Sequence, residues 1–156
     1  MNATHETGAL PHVFFYHGIS DRLAAAAVLL GKACAQGKAA VVYAPDAALA
    51  EALDRALWLH PPTAFIPHVR LPSPLASETP LLITDALDSV TGELNAAACE
   101  RLMNLSSAIP PGFERFPHLI EVVSNEDAVR LPARERFKFY KSKGCEVESF
   151  DWSGKF

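Results

Sequence analysis

Apolar positions along the chain fall into two rhythms: short dense runs, and longer stretches with helical spacing. "HVFFYH" (His12–His17) is a bulky apolar run with the pattern of a buried strand. Asp21 then stands where it can cap a helix with the alanine-rich interior "RLAAAAVLLGKACAQ", and Gly37 stands where helices end. "KAAVVYA" (Lys38–Ala44) predicts a second buried strand. Asp46 is a good N-cap for "AALAEALDRALWLH", a helix predicted to run to His60 and to stop at Pro61–Pro62. The opening sixty residues therefore predict strand, helix, strand, helix with short connections, which implies a parallel sheet with helices on its faces.

The middle of the chain is read more coarsely. "TAFIPHV" holds a brief apolar run, and "TPLLIT" (Thr79–Thr84) predicts a strand. "DALDSVTGEL" predicts a loop, "ERLMNLS" (Glu100–Ser106) a strand, and "IPPGFERF" a break holding one helical turn. "HLIEVVS" (His118–Ser124) predicts another strand. Ser124 or Asn125 is expected to cap the following helix, which Pro132 kinks or restarts and which runs to about Lys143, with Gly144 as its stop. "EVESFDW" predicts a last strand at a sheet edge. No internal repeat, low-complexity segment or linker interrupts the pattern. The expected fold is α/β: a single doubly wound, Rossmann-like, mostly parallel sheet flanked by helices, in one domain spanning residues 1–156 with a flexible N-terminus over 1–11.

Composition fits this picture, with 49% hydrophobic and 21% charged residues. "MNATHETGALPH" lacks the basic start and apolar core of a signal peptide. The longest apolar run, Leu23–Leu30, falls well short of the roughly 20 residues needed to span a bilayer, so a cytoplasmic protein is expected. Cys34, Cys99 and Cys145 are far apart with no C-x-x-C among them, the usage of reduced thiols packed as small hydrophobes.

Candidate chemistry is sparse. "HGISD" after the first strand carries neither G-x-G-x-x-G nor G-x-x-x-x-G-K-[ST], so no glycine loop is predicted to cradle a phosphate. No G-x-S-x-G elbow is present. His60 and His68 flank two prolines, and hydrogen-bonded histidines explain them better than a metal pair. Asp85 and Asp88 follow a strand in a loop whose composition accounts for them. No catalytic set, metal or cofactor is expected.

Charge singles out one segment. The chain carries a net -4, but residues 1–129 hold 7 basic and 14 acidic side chains, whereas "RLPARERFKFYKSKG" (Arg130–Gly144) holds 6 basic and 1 acidic. On a helical wheel Arg130, Arg134, Lys138 and Lys141 share one arc, and Ala133, Phe137 and Tyr140 share the next. A solvated basic face beside a buried arc is one reading. Exposed ion pairs contribute only about 0–1 kcal/mol each, so selectivity would need the apolar arc as well. A ligand with an aromatic group and a carboxylate would use both. Single-stranded DNA, stacked on Phe137 or Tyr140, is the rival ligand. A small nucleotide- or phosphate-using enzyme with a degenerate loop near His17–Asp21 is a further alternative. A second surface is suggested by Trp58 and Phe65, aromatic residues beside prolines at an element boundary.

Three segments together carry a family resemblance: "DRALWLHPPTAFIPH", "IEVVSNEDAVR" and "ARERFKFYKSKG". In order and spacing the chain resembles the chi subunit family of bacterial DNA polymerase III, accessory subunits of the clamp-loader assembly. The resemblance implies an α/β fold without a nucleotide site and no catalysis by the chain itself. It implies a bridge between two partners: the acidic C-terminal tail of single-stranded-DNA-binding protein, which ends in an aromatic residue bearing the chain carboxylate, and the psi subunit of the clamp loader. DNA would be met mainly indirectly. By position, Arg134 and Lys138 match the family's tail-binding cations. Phe137 stands where a tyrosine is common, Arg130 replaces a lysine, Lys141 extends the basic arc and Val123 lines the pocket from the adjacent strand. Trp58 and Phe65 match aromatics on the surface used for psi.

Overall fold

The computed structural model describes residues 10–59 and 66–155. Alternation along the strands builds it. In β2 (Ala40–Tyr43), Ala40 and Val42 face one layer and Val41 the other. In β4 (Leu81–Thr84), Leu81 and Ile83 oppose Leu82, and in β5 (Arg101–Asn104), Met103 opposes Leu102. Both faces of these strands are thus apolar, which requires cover on both sides. With β1 (His12–Ile19), β3 (His68–Arg70), β6 (His118–Ser124) and β7 (Glu146–Asp151) they form a seven-stranded sheet in the order β3-β4-β2-β5-β6-β1-β7. Every pairing is parallel, so the expectation of a mostly parallel sheet is met throughout the described strands.

One face is covered by α1 (Arg22–Ala35) and α2 (Ala47–Leu59). Asp21 Oδ1 caps α1 by accepting from Ala24 N at 3.1 Å, and Asp46 Oδ1 accepts from Ala48 N at 2.9 Å at the start of α2. Ala25, Ala26 and Ala27 are buried, and their small side chains bring the α1 backbone close to the sheet. The other face is covered by short 3₁₀ turns and by the last helix, around a core that includes Leu102, Phe113, Phe116, Leu119 and Tyr140. "DALDSVTGEL", expected to be a loop, instead holds a 3₁₀ turn at Leu87–Ser89 and a short helix, α3 (Gly92–Asn95). Thr91 makes the difference, its hydroxyl accepting from Leu94 N at 3.2 Å.

The last helix, α4 (Asp127–Lys143), runs continuously through Pro132, which does not restart it. The bond that proline forfeits would end on the carbonyl of Ala128, an exposed residue of the first turn. The N-cap is Glu126, with neither Ser124 nor Asn125 in that role. The Asn125 backbone N–H donates to the carbonyl of Ile19 at 2.9 Å, tying the start of α4 to the end of β1. Gly144 closes α4 at φ +97°. Of the described residues, no helix is long and apolar enough to cross a membrane.

Candidate functional site

α4 lies on the sheet through Ala133, Arg136 and Tyr140, spaced three and four residues apart. Its seat is built around an acid inside the apolar strand β6. Glu121 is 0% exposed and accepts four hydrogen bonds: Arg136 Nε at 3.0 Å, Arg136 Nη2 at 2.9 Å, Tyr140 OH at 2.7 Å and Asn104 Nδ2 at 2.9 Å. Burial, reinforced by the Glu121 charge, pushes the Tyr140 phenol far above its ordinary pKa, so it remains a donor. This network fixes α4 in rotation and in register against β5 and β6.

That rotation decides where the neighbouring residues point. A pocket of about 430 Å³ opens between α4 and the C-terminal ends of β1 and β6. Phe15, Val123, Ala133 and Phe137 supply its apolar lining, and Phe15 meets Phe137 edge to face at 5.1 Å between ring centroids. Arg130, Arg134 and Lys138 bring three cations to it. Arg130 pairs with Asp127 at 2.5 Å and Lys138 with Glu135 at 3.5 Å, both exposed pairs along the helix. Arg134 has no such partner among the described residues, so its guanidinium is available to an incoming anion. The arrangement can take a flat apolar group inside and hold negative charge outside it.

Five residues singled out in the sequence therefore share one pocket: Val123, Arg130, Arg134, Phe137 and Lys138. Lys141 does not line it; its Nζ lies 5.4 Å from the Phe137 ring centroid. Sequence reasoning missed Phe15, His17 and Gly18, which come from β1, more than 100 residues before α4. Gly18 has a structural reason to be glycine. Its φ is +74°, and a Cβ there would sit 2.5 Å from Ser153 Oγ. The break in β1–β6 register between Tyr16 and Ile19 falls at this same point. Glu121 and Arg136 were also missed, although a signal existed: Arg136 sits between Ala133 and Tyr140 on the apolar arc, and Glu121 interrupts "HLIEVVS".

The second surface lies toward the opposite edge of the sheet, where α2 leads into β3. Trp58 is 60% and Leu59 66% exposed. The Trp58 ring stands 5.0 Å from that of His68, which is itself buried, with Nε2 3.0 Å from Asp54 Oδ1 and Nδ1 2.7 Å from the Ile66 carbonyl. Phe65 and His60 lie outside the described residues. Among the described residues no group of His, Cys, Asp and Glu could hold a metal ion.

Comparison with known proteins agrees with the resemblance. Residues 10–148 match the model of the protein family described as "DNA polymerase III chi subunit, HolC". A DNA polymerase III subunit chi of Pseudomonas aeruginosa is 33% identical over 132 residues, covering 83% of this chain and 85% of that protein. Its counterpart in Haemophilus influenzae is 31% identical over 113 residues, covering 72% and 75%. The Escherichia coli protein of the same name is 27% identical over 116 residues, covering 74% and 76%. With its all-parallel α/β sheet and a family match over most of its length, the chain belongs to the DNA polymerase III chi subunit family.

Proposed function

We propose that the pocket between β1, β6 and α4 receives the acidic C-terminal tail of single-stranded-DNA-binding protein, and that the chain thereby tethers the clamp loader to coated single strands in the cytoplasm. The observation that carries this reading is the meeting of an apolar cavity lined by Phe15 and Phe137 with the cations Arg130, Arg134 and Lys138. A terminal aromatic ring burying about 100 Å² would contribute about 2.5 kcal/mol. Arg134 would grip the terminal carboxylate, and Lys138 and Arg130 would meet the aspartates before it. Lys141, outside the pocket, would add to the field that attracts the tail. Many tails on one coated strand would raise the effective concentration, so a modest single-site affinity suffices. In this reading the chain works as an adaptor without catalysis of its own. Trp58, at the far edge of the sheet, would anchor the psi subunit or a substitute for it, and Phe65 is proposed to take part.

The test is fluorescence anisotropy with a labelled Asp-rich peptide ending in phenylalanine. Binding is expected with the free carboxylate, and at least tenfold weaker binding with the amidated peptide, with Arg134→Ala and with Lys138→Glu. Absence of binding by the unmutated protein at low salt refutes the proposal. Equal competition by an oligonucleotide of any sequence would instead assign the basic arc to single-stranded DNA.

A further inference from the structure

A second cavity, of about 300 Å³, lies over the C-terminal ends of β2 and β5. The chain leaving β2 turns toward β3, whereas the chain leaving β5 turns the other way, toward β6. Such a reversal is where open α/β sheets gather ligands. Here the sheet carries no glycine loop, but it carries two guanidinium groups. Arg136, 3% exposed, spends Nε and Nη2 on Glu121, and its Nη1 is buried with no hydrogen-bond partner among the described residues. Native structures rarely leave a buried donor unused. Arg22 lines the same cavity, donating from Nε to the Val122 carbonyl at 2.8 Å and from Nη1 to that of Leu105 at 3.4 Å. Burial lowers the Arg22 pKa, and the Arg136 charge adds to that effect against the pull of Glu121 and Glu126. Two cations crowd one crevice, and an anion between them would relieve both.

Of the opposing charges, Glu126 is exposed outside the lining and accepts from Ser124 Oγ at 3.3 Å, and the other two are already engaged. Glu121 lies beneath with both oxygens occupied, and Asp46, at the wall, accepts from Ala48 N and Leu49 N at 2.9 and 3.4 Å. The remaining wall is largely apolar, from Tyr43, Leu49 and Leu105. We propose that this crevice is a second ligand site, in which Arg136 Nη1 and Arg22 hold the oxyanion of a small carboxylate or phosphate whose apolar body lies against Tyr43 and Leu49.

The experiment is a ¹⁵N-resolved titration of the full chain with benzoate, phenyl phosphate and inorganic phosphate, at ionic strength held constant with chloride. Saturable shifts are expected at the Nε–H groups of Arg22 and Arg136 and at the amides of residues 106–108. Whichever aromatic probe binds tighter identifies the oxyanion, and it should bind at least tenfold tighter than inorganic phosphate. Ala128→Trp, which fills the crevice from an exposed position, should abolish these shifts and leave binding of the acidic peptide at the Phe137 pocket unchanged. Arg22→Gln should weaken them at least tenfold and serves if the tryptophan variant is poorly folded. The proposal is overturned if no probe saturates at millimolar concentration, which would leave water as the partner of Nη1. It is equally overturned if the shifts persist in Ala128→Trp, or map to Arg130, Arg134 and Lys138 instead.

Discussion

Replacing Glu121 by glutamine removes one charge and almost no volume. The carboxylate is 0% exposed and takes both Arg136 donors, Tyr140 OH and Asn104 Nδ2. A glutamine can accept at only one end, and its NH₂ would face a donor. The guanidinium of Arg136 would stay buried without a counter-charge. Breaking a buried pair from one side costs about 3–5 kcal/mol, a large share of the roughly 5–15 kcal/mol that holds a domain together. At roughly 2–4 °C per kcal/mol for a domain of this size, Glu121→Gln should lower Tm by about 10 °C. Urea denaturation at pH 7 is the assay, with the midpoint falling and the m-value unchanged. The double variant Glu121→Leu, Arg136→Met should recover part of the loss, because the desolvation cost disappears with the charges while Tyr140 OH and Asn104 Nδ2 still lose an acceptor. A loss below about 1 kcal/mol in Glu121→Gln would refute the claim that this ion pair seats α4.

Other outcomes follow from the same geometry. Phe137→Ala should cost about 2 kcal/mol by urea denaturation, through the lost contact with Phe15, and should weaken peptide binding more than tenfold in the anisotropy assay, whereas Phe137→Tyr should change neither appreciably. Gly18→Ala should destabilise by about 1–2 kcal/mol, since alanine must adopt φ +74° and crowd Ser153; urea denaturation reads it, and an unchanged midpoint would show that the β1 bend does not need glycine. Trp58→Ala should leave stability within about 1 kcal/mol, given its exposure, while removing a protein partner from a lysate pull-down. Burial raises the thiol pKa of Cys34, Cys99 and Cys145, so at pH 8 less thiolate is present than in free cysteine; a disulfide reagent should label the native chain more slowly than glutathione and accelerate as the pH rises past the ordinary thiol range.

The order of elements was legible because most strands are dense apolar runs and α1 and α2 begin at recognisable caps. Asp21 and Asp46 did at the level of atoms what their positions in the sequence promised. Where the reading of single elements failed, small local choices decided. Ser124 and Asn125 looked like caps, but the N-cap falls one residue later at Glu126, with the Ser124 hydroxyl donating locally to the Glu126 carboxylate, and Pro132 looked like a break until α4 absorbed it near an exposed first turn. On α4 the wheel found the cations and Phe137, since helical spacing alone sets their common side. It could not find Phe15, His17 or Gly18, because only the parallel pairing of β1 with β6 carries them to α4. Arg136 was hidden by its charge: a guanidinium on the inner arc is expected outside until Glu121 is seen opposite it.

Edge strand β7 has a consequence for assembly. One of its sides pairs with β1, and among the described residues the other ends the sheet, leaving backbone N–H and C=O groups for a strand that could add to them. Glu146, Glu148 and Asp151 are all exposed along its six residues, and Glu148 pairs with His12 at 2.6 Å. A second copy adding at this edge would bring more carboxylates beside Glu146, Glu148 and Asp151. The acidic fringe thus works as a guard, keeping an open, strongly apolar sheet from growing into the next molecule.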